Sequence, residues 1–131
     1  MTLRAKHISI SINRTAADVY AFASNPENLP KWAAGLCGSI KRIGGDWIAS
    51  SPMGDAKVKF ADGNPFGVLD HEVTLESGEK FYNPMRVFRN QGGCEVVFTL
   101  FRQSAMSDRQ YADDEQAILR DLDKLKKILE K

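Results

Sequence analysis

The sequence is poor in cysteine and has no long apolar run. Its two cysteines, Cys37 and Cys94, lie far apart, and its first residues form a polar segment rather than a secretory signal. This combination favours reduced, partly buried thiols in a cytoplasmic protein over a disulfide. No apolar stretch approaches the length that crosses a bilayer, so we expect no membrane span.

An excess of charge of either sign is also missing. Eighteen Lys and Arg face seventeen Asp and Glu, which leaves a formal net charge of +1. Nucleic acids and anionic membranes select proteins with a strong basic excess, so neither is an expected partner.

Motifs that hold metals or cofactors are absent as well. The histidines and cysteines are scattered without paired ligand spacing, which predicts no metal site. The sequence has no P-loop, no strand-linked dinucleotide-binding glycine motif and no G-x-S-x-G elbow, so we expect no cofactor. It also contains no repeat or linker, and residues 1–131 are expected to form a single domain.

The patterns that are present predict an α+β fold. Residues 7–13 alternate as a strand, and Thr15-x-x-Asp18 and Asn25-Pro26 begin two short helices. Residues 38–103 predict six strands, with Gly44-Gly45 marking a hairpin. The capping box Ser107-x-x-Gln110 begins a long amphipathic helix. We therefore predict an antiparallel sheet curved around this last helix.

Alternation in the last three strands predicts which residues share the inner face of the sheet. The inner set is Leu69, His71, Val73 and Leu75, then Phe81, Asn83, Met85 and Val87, then Val96, Phe98 and Leu100. Only His71 and Asn83 are polar, and they are predicted to be neighbours on adjacent strands. Asp70 and Glu72 fall on the opposite face and are predicted to lie in water. The same face carries Tyr82 and Phe88, which the pattern does not explain.

Two stretches of the chain carry a further pattern. The first contains Ile8-Ser9-Ile10, Arg14 and Ala17-Asp18-Val19-Tyr20-Ala21-Phe22, followed by Asn25-Pro26-Glu27-Asn28-Leu29-Pro30-Lys31-Trp32. The second contains Phe66-Gly67-Val68-Leu69-Asp70-His71-Glu72-Val73-Thr74-Leu75, Tyr82-Asn83-Pro84-Met85-Arg86-Val87 and Val96-Val97-Phe98-Thr99-Leu100-Phe101. Together they resemble the START-like, or SRPBCC, superfamily, which includes polyketide cyclases, Bet v 1-like plant proteins and lipid-transfer domains. The second stretch looks like a small bacterial branch of it.

The resemblance implies a helix-grip fold of order β-α-α-β6-α, with a small apolar cavity between the sheet and the last helix. In this setting the candidate ligand-binding residues are Trp32, Trp47, Phe60, His71, Asn83, Met85 and Phe98. Trp32 lies on the short helix that flanks the cavity mouth in relatives. His71 is the candidate acid/base, because imidazole donates, accepts and titrates near neutral pH. The alternative is a core histidine paired with Asn83 or a backbone carbonyl, among aromatic residues that are simply core.

Three functions remain open at this point. The first is a carrier or sensor that binds a small hydrophobic or amphipathic molecule. The second is an enzyme of polyketide cyclase or dehydratase type that uses His71, as the resemblance implies. The third is an interaction module of the chaperone-activator kind. We favour the first, because one acid/base candidate without a second is thin support for catalysis.

Overall fold

The computed structural model describes residues 1–34, 37–51 and 54–131. Their elements follow the predicted order of strand, short helices, meander and long helix. These elements are β1 (Ala5–Ile12), α1 (Ala16–Ala23), a 3-10 turn (Pro26–Asn28), α2 (Leu29–Trp32), β2 (Ser39–Ile43), β3 (Asp46–Ser51), β4 (Gly54–Phe60), β5 (His71–Leu75), β6 (Lys80–Asn83), β7 (Met85–Asn90), β8 (Gly93–Phe101) and α3 (Asp108–Leu129).

The helices begin where side-chain caps satisfy free backbone N–H groups. The Thr15 hydroxyl accepts from the Asp18 N–H, and the Asn25 side chain accepts from the Glu27 N–H in the 3-10 turn. The Ser107 hydroxyl accepts from the Gln110 N–H at the start of α3. These caps confirm the predicted helix starts.

The strands form two hydrogen-bonded ladders. One has the order β1-β8-β7 and the other the order β2-β3-β4-β5-β6. The predicted strand over residues 81–89 is divided at Pro84 into β6, which pairs with β5, and β7, which pairs with β8. Proline lacks the N–H that a continuous ladder needs, so the chain changes sheet here. Seven strands therefore follow the short helices, where six were predicted.

A second break lies opposite Pro84, in the predicted strand over residues 68–75. Leu69 donates its N–H to Met85 and Gly67 accepts from the Val87 N–H, so this part runs beside β7. From His71 onward the chain pairs with β4 and β6 instead. Asp70 therefore sits at the corner where both strands pass from one sheet to the other.

The Asp70 carboxylate holds this corner together. Its Oδ1 accepts from the Met85 N–H and from Arg86 Nε, each at 2.9 Å. Its Oδ2 accepts from Tyr82 Oη at 2.6 Å and from Arg86 Nη2 at 2.8 Å. The prediction that Asp70 lies in water was wrong: Tyr82 and Arg86 close over it and leave 11% of its side chain exposed. Its role at the corner also accounts for Tyr82 on the outer face.

The helix α3 covers the three-stranded ladder. Its principal neighbours are β1, α2 and β8, and it buries Tyr111, Leu122, Leu125 and Leu129. Both Cys37 and Cys94 are free and buried. Among the residues described, no helix is both long enough and apolar enough to cross a membrane.

We expect Asp70→Asn to lower the free energy of unfolding at neutral pH. The surrounding donors, with Arg86 the largest cause, lower the Asp70 pKa from 3.8 to about 2. That shift corresponds to about 2 kcal/mol, present above the unfolded-state pKa and lost as pH falls through the folded-state value. Urea unfolding should show that Asp70→Asn lowers the free energy of unfolding by this amount at neutral pH and by roughly half of it at about pH 3. Asp46→Asn, at an exposed carboxylate on β3, is the control. Equal effects of the two variants would contradict the stabilising role of the Asp70 hydrogen bonds.

Candidate functional site

His71 lies at the start of β5, on the inner face of the five-stranded ladder. The ladder places it directly opposite Phe60 on β4 and opposite Asn83 on β6. The predicted neighbourhood of His71 and Asn83 is therefore confirmed. Residues that stand opposite each other on adjacent strands project their side chains to the same face, so the three form one row.

Two further residues complete the surroundings of the imidazole. The Phe98 ring centroid lies 5.8 Å from that of His71, and the Phe60 centroid lies 5.0 Å away. Met85 stands opposite Phe98 in the other ladder. We call Phe60, His71, Asn83, Met85 and Phe98 the inner-face cluster. Met85 and His71 are buried, whereas Phe60, Asn83 and Phe98 keep part of their surface exposed.

The position of the proton on His71 follows from its one hydrogen bond. Its Nδ1 lies 3.0 Å from the Leu69 carbonyl oxygen. A carbonyl only accepts, so Nδ1 carries the hydrogen and Nε2 is left with a lone pair in the neutral ring. Within residues 1–34, 37–51 and 54–131, Nε2 has no hydrogen-bond partner. The backbone therefore orients the ring. Of the two pairings that the core-histidine alternative predicted, the one with a backbone carbonyl is observed and the one with the Asn83 side chain is not.

Burial also decides the charge of His71. The side chain is in an apolar environment, which lowers its pKa below the ordinary value, and the Leu69 hydrogen bond and the Asp70 carboxylate oppose this only in part. At neutral pH the ring is therefore uncharged. The arrangement offers one hydrogen-bond acceptor, Nε2, in an apolar wall. Such a group binds a hydroxyl hydrogen or takes up a proton as a base.

The two tryptophans of the predicted site are not members of this cluster, and their surroundings differ from each other. Trp32 is buried on α2, and its indole N–H has no acceptor among the residues described. Trp47, on β3, lines a groove of about 680 Å³ at the edge of the sheet. None of the inner-face cluster lines that groove. The structure thus brings five of the seven predicted residues together. Trp47 stands opposite Val58 on β4, on the same face as Phe60 but one strand further toward the edge, and Trp32 lies on α2.

Asp121 on α3 is a titratable residue that the sequence patterns did not single out. It lies three residues after Ile118 and four before the fully buried Leu125, so it belongs to an inward side of the helix. Burial raises its pKa to about 6, against the opposing effects of Arg120 and Lys124. Its carboxylate has no hydrogen bond to any described residue. The spacing of Asp121 relative to Leu125 on the helix is the sequence feature from which its inward position could have been predicted.

Comparison with solved structures shows similar chains that match over nearly all of this one. The Aha1 dimer of Colwellia psychrerythraea is 17% identical, with a TM-score of 0.76, over 98% of this chain and 97% of that one. CalU16 of Micromonospora echinospora is 15% identical, with a TM-score of 0.70, over 97% and 74%. Ara h 8.0201 is 14% identical, with a TM-score of 0.68, over 96% and 97%. The sequence matches no protein-family model and no curated protein.

These likenesses establish the fold. The chain has a helix-grip fold, an α+β fold in which antiparallel strands pack against a long C-terminal helix, and it shares this fold with Ara h 8.0201 and the Aha1 dimer. The fold expected from the sequence resemblance is confirmed.

We expect nitrogen-15 NMR to find His71 as the neutral tautomer protonated on Nδ1 at neutral pH. The hydrogen bond to Leu69 fixes the tautomer, and burial keeps the pKa below 6.5. Because the unfolded chain takes up a proton on this ring more readily, the contribution to stability falls as pH drops below the unfolded-state pKa. The exposed His7 is the internal reference in the same spectrum. A His71 ring protonated on Nε2 would contradict the assignment.

We expect Asp121→Asn to raise the melting temperature at neutral pH. The folded-state pKa of Asp121 is about 6, above the value of 3.8 for a solvated aspartate. The folded state therefore loses stability as pH rises between these values and remains penalised above them, a cost that asparagine does not carry. Thermal unfolding should show a gain at neutral pH that disappears near about pH 4. The exposed Asp113→Asn on the same helix is the control, and the same gain at both pH values would rule out this origin.

Proposed function

We propose that the chain binds a small, mostly apolar organic molecule on the inner face of its sheet and recognises one hydroxyl group of that molecule through Nε2 of His71. The observation that carries this proposal is a buried imidazole whose Nδ1 is engaged by Leu69 and whose Nε2 is unpartnered among the residues described. A lone acceptor in an apolar wall gives a ligand both affinity and orientation.

The rest of the inner-face cluster supplies suitable surroundings. Phe60 and Phe98 offer aromatic surface next to the imidazole, and both remain partly exposed. Met85 adds a flexible, polarizable side chain that adapts to irregular shapes. The amide of Asn83, next to His71 in the row, is a second polar group for the same end of the ligand. Flat apolar bodies with one polar end match this set.

Binding is favoured over catalysis by the composition of the cluster. A polyketide cyclase or dehydratase mechanism would use His71 as a base and would need a further group to return the proton or support negative charge. His71 is the only titratable member of the inner-face cluster. The chaperone-activator alternative would use the outer sheet face or the helices. On the outer face, the hydroxyl of the half-exposed Tyr82 is already engaged by Asp70.

We expect 2-naphthol to bind more tightly than naphthalene, because only the alcohol donates a hydrogen to Nε2. One such bond is worth about 1 kcal/mol, or roughly a three- to tenfold difference in dissociation constant. Isothermal titration calorimetry and the rise in melting temperature measure it. In His71→Ala this preference should vanish. Lowering the pH should weaken it too, because a protonated Nε2 no longer accepts.

His7→Ala provides a matched control, since His7 is exposed on β1 and its Nδ1 already contacts the Thr99 hydroxyl. It should leave both dissociation constants unchanged. Phe98→Leu should weaken naphthol and naphthalene alike, because it removes aromatic contact without touching the acceptor. If His71→Ala binds both probes within a factor of two of the parent protein, the proposed role of the imidazole is wrong.

A further inference from the structure

A groove at the edge of the five-stranded ladder is lined by none of the residues of the inner-face cluster. It has a volume of about 680 Å³ and runs between the 3-10 turn and α2 on one side and β2 and β3 on the other. We call it the edge groove; its walls are Glu27, Pro30, Gly38, Ser39, Ile40, Arg42 and Trp47. Because β2 is the end strand of its ladder, no further strand pairs with this edge of the ladder.

Arg42 and Trp47 form a built pair within the edge groove. They stand directly opposite each other on β2 and β3, and the guanidinium carbon lies 5.7 Å from the indole ring centroid. A cation–π contact of this length draws the guanidinium toward the indole face and leaves its N–H groups free at the rim. In the part of the chain that the structure describes, the Arg42 side chain has neither an ion pair nor a hydrogen bond.

The chemistry of this pair selects an anion with an apolar body. A free, oriented guanidinium binds a carboxylate through two parallel hydrogen bonds, which a neutral group does not match. Trp47, Ile40 and Pro30 add apolar surface beside it, and Trp47 is only partly buried. Glu27, exposed in the groove and without a side-chain partner among the described residues, disfavours a second negative charge on the ligand.

We propose that the edge groove is a second binding site, which takes an aromatic monocarboxylate with its ring against Trp47 and its carboxylate on Arg42. This site is independent of His71. An uncharged ligand gains no charge-assisted contact with the guanidinium, and the second carboxylate of a dicarboxylate is repelled by Glu27.

The test uses 2-naphthoate and its uncharged analogue 2-naphthamide as probes. The protein has two tryptophans, so Trp32→Phe leaves Trp47 as the sole indole reporter of the groove. Titration followed by Trp47 fluorescence should give roughly tenfold tighter binding of the carboxylate than of the amide, as a charge-assisted bidentate contact predicts. If Trp32→Phe does not fold, the two indole N–H signals in nitrogen-15 NMR of the unaltered chain give the same reading.

Arg42→Gln should abolish the preference for the carboxylate and leave amide binding within about twofold, since it removes the charge and not the apolar wall. Lys41→Gln is the matched control, because it removes the same charge from the adjacent, exposed position on β2, whose side chain points to the other face. Glu27→Gln should strengthen naphthoate binding. His71→Ala should leave it unchanged.

Equal affinity for naphthoate and naphthamide in the parent protein would overturn the proposal. So would a carboxylate preference that survives Arg42→Gln or that is lost equally in Lys41→Gln, because the effect would then reflect overall charge. A loss of naphthoate binding in His71→Ala would show that the probe occupies the inner face, and would also overturn it. Failure of the naphthol experiment leaves these results intact, since the two probes report on different residues.

Discussion

One carboxylate joins the two ladders at the corner next to His71. At the corner between the two ladders, Asp70 accepts four hydrogen bonds from Tyr82, Met85 and Arg86. Each donor belongs to the crossing strand on one side or the other of Pro84. Without an acceptor there, the Met85 N–H would be buried without a partner, at a cost of about 1–3 kcal/mol. The corner also fixes the Leu69 carbonyl and the His71 ring, which flank Asp70 in the chain.

Three titratable groups, Asp70, Asp121 and His71, show that the effect of burial on a pKa depends on what else is close by. Asp70 is covered but surrounded by donors, so its pKa falls. Asp121 is partly buried without such donors, so its pKa rises. His71 is buried with one backbone acceptor and loses its charge. Desolvation therefore leaves Asp70 charged, because donors surround it, whereas it makes His71 neutral and destabilises the charged form of Asp121.

Local alternation predicted most of the inner face, because the period of a strand decides which side chains share a side. It placed His71 beside Asn83 and Met85 among apolar neighbours, and the register bears this out. It failed for Asp70, since the residues that cover this carboxylate come from a strand that bends at a proline. That bend depends on pairing between distant segments, and the two-residue alternation within one strand carries no information on such pairing. Trp47 shows a further gap: its strand position was predictable, but its place at an open edge depends on the order of the strands.

The orientation of His71 bears on the choice between binding and chemistry. A base that takes a proton from carbon leaves a negative charge on the substrate, and enzymes support that charge with a cation or several N–H donors. The inner-face cluster has two side-chain donors, the Asn83 amide and the Nδ1–H of His71, and the second is already hydrogen-bonded to the Leu69 carbonyl. The guanidinium of Arg42 lies in the edge groove, whose lining includes none of that cluster. An acceptor and a cation held at separate places suit recognition of two kinds of ligand better than they suit one catalytic centre.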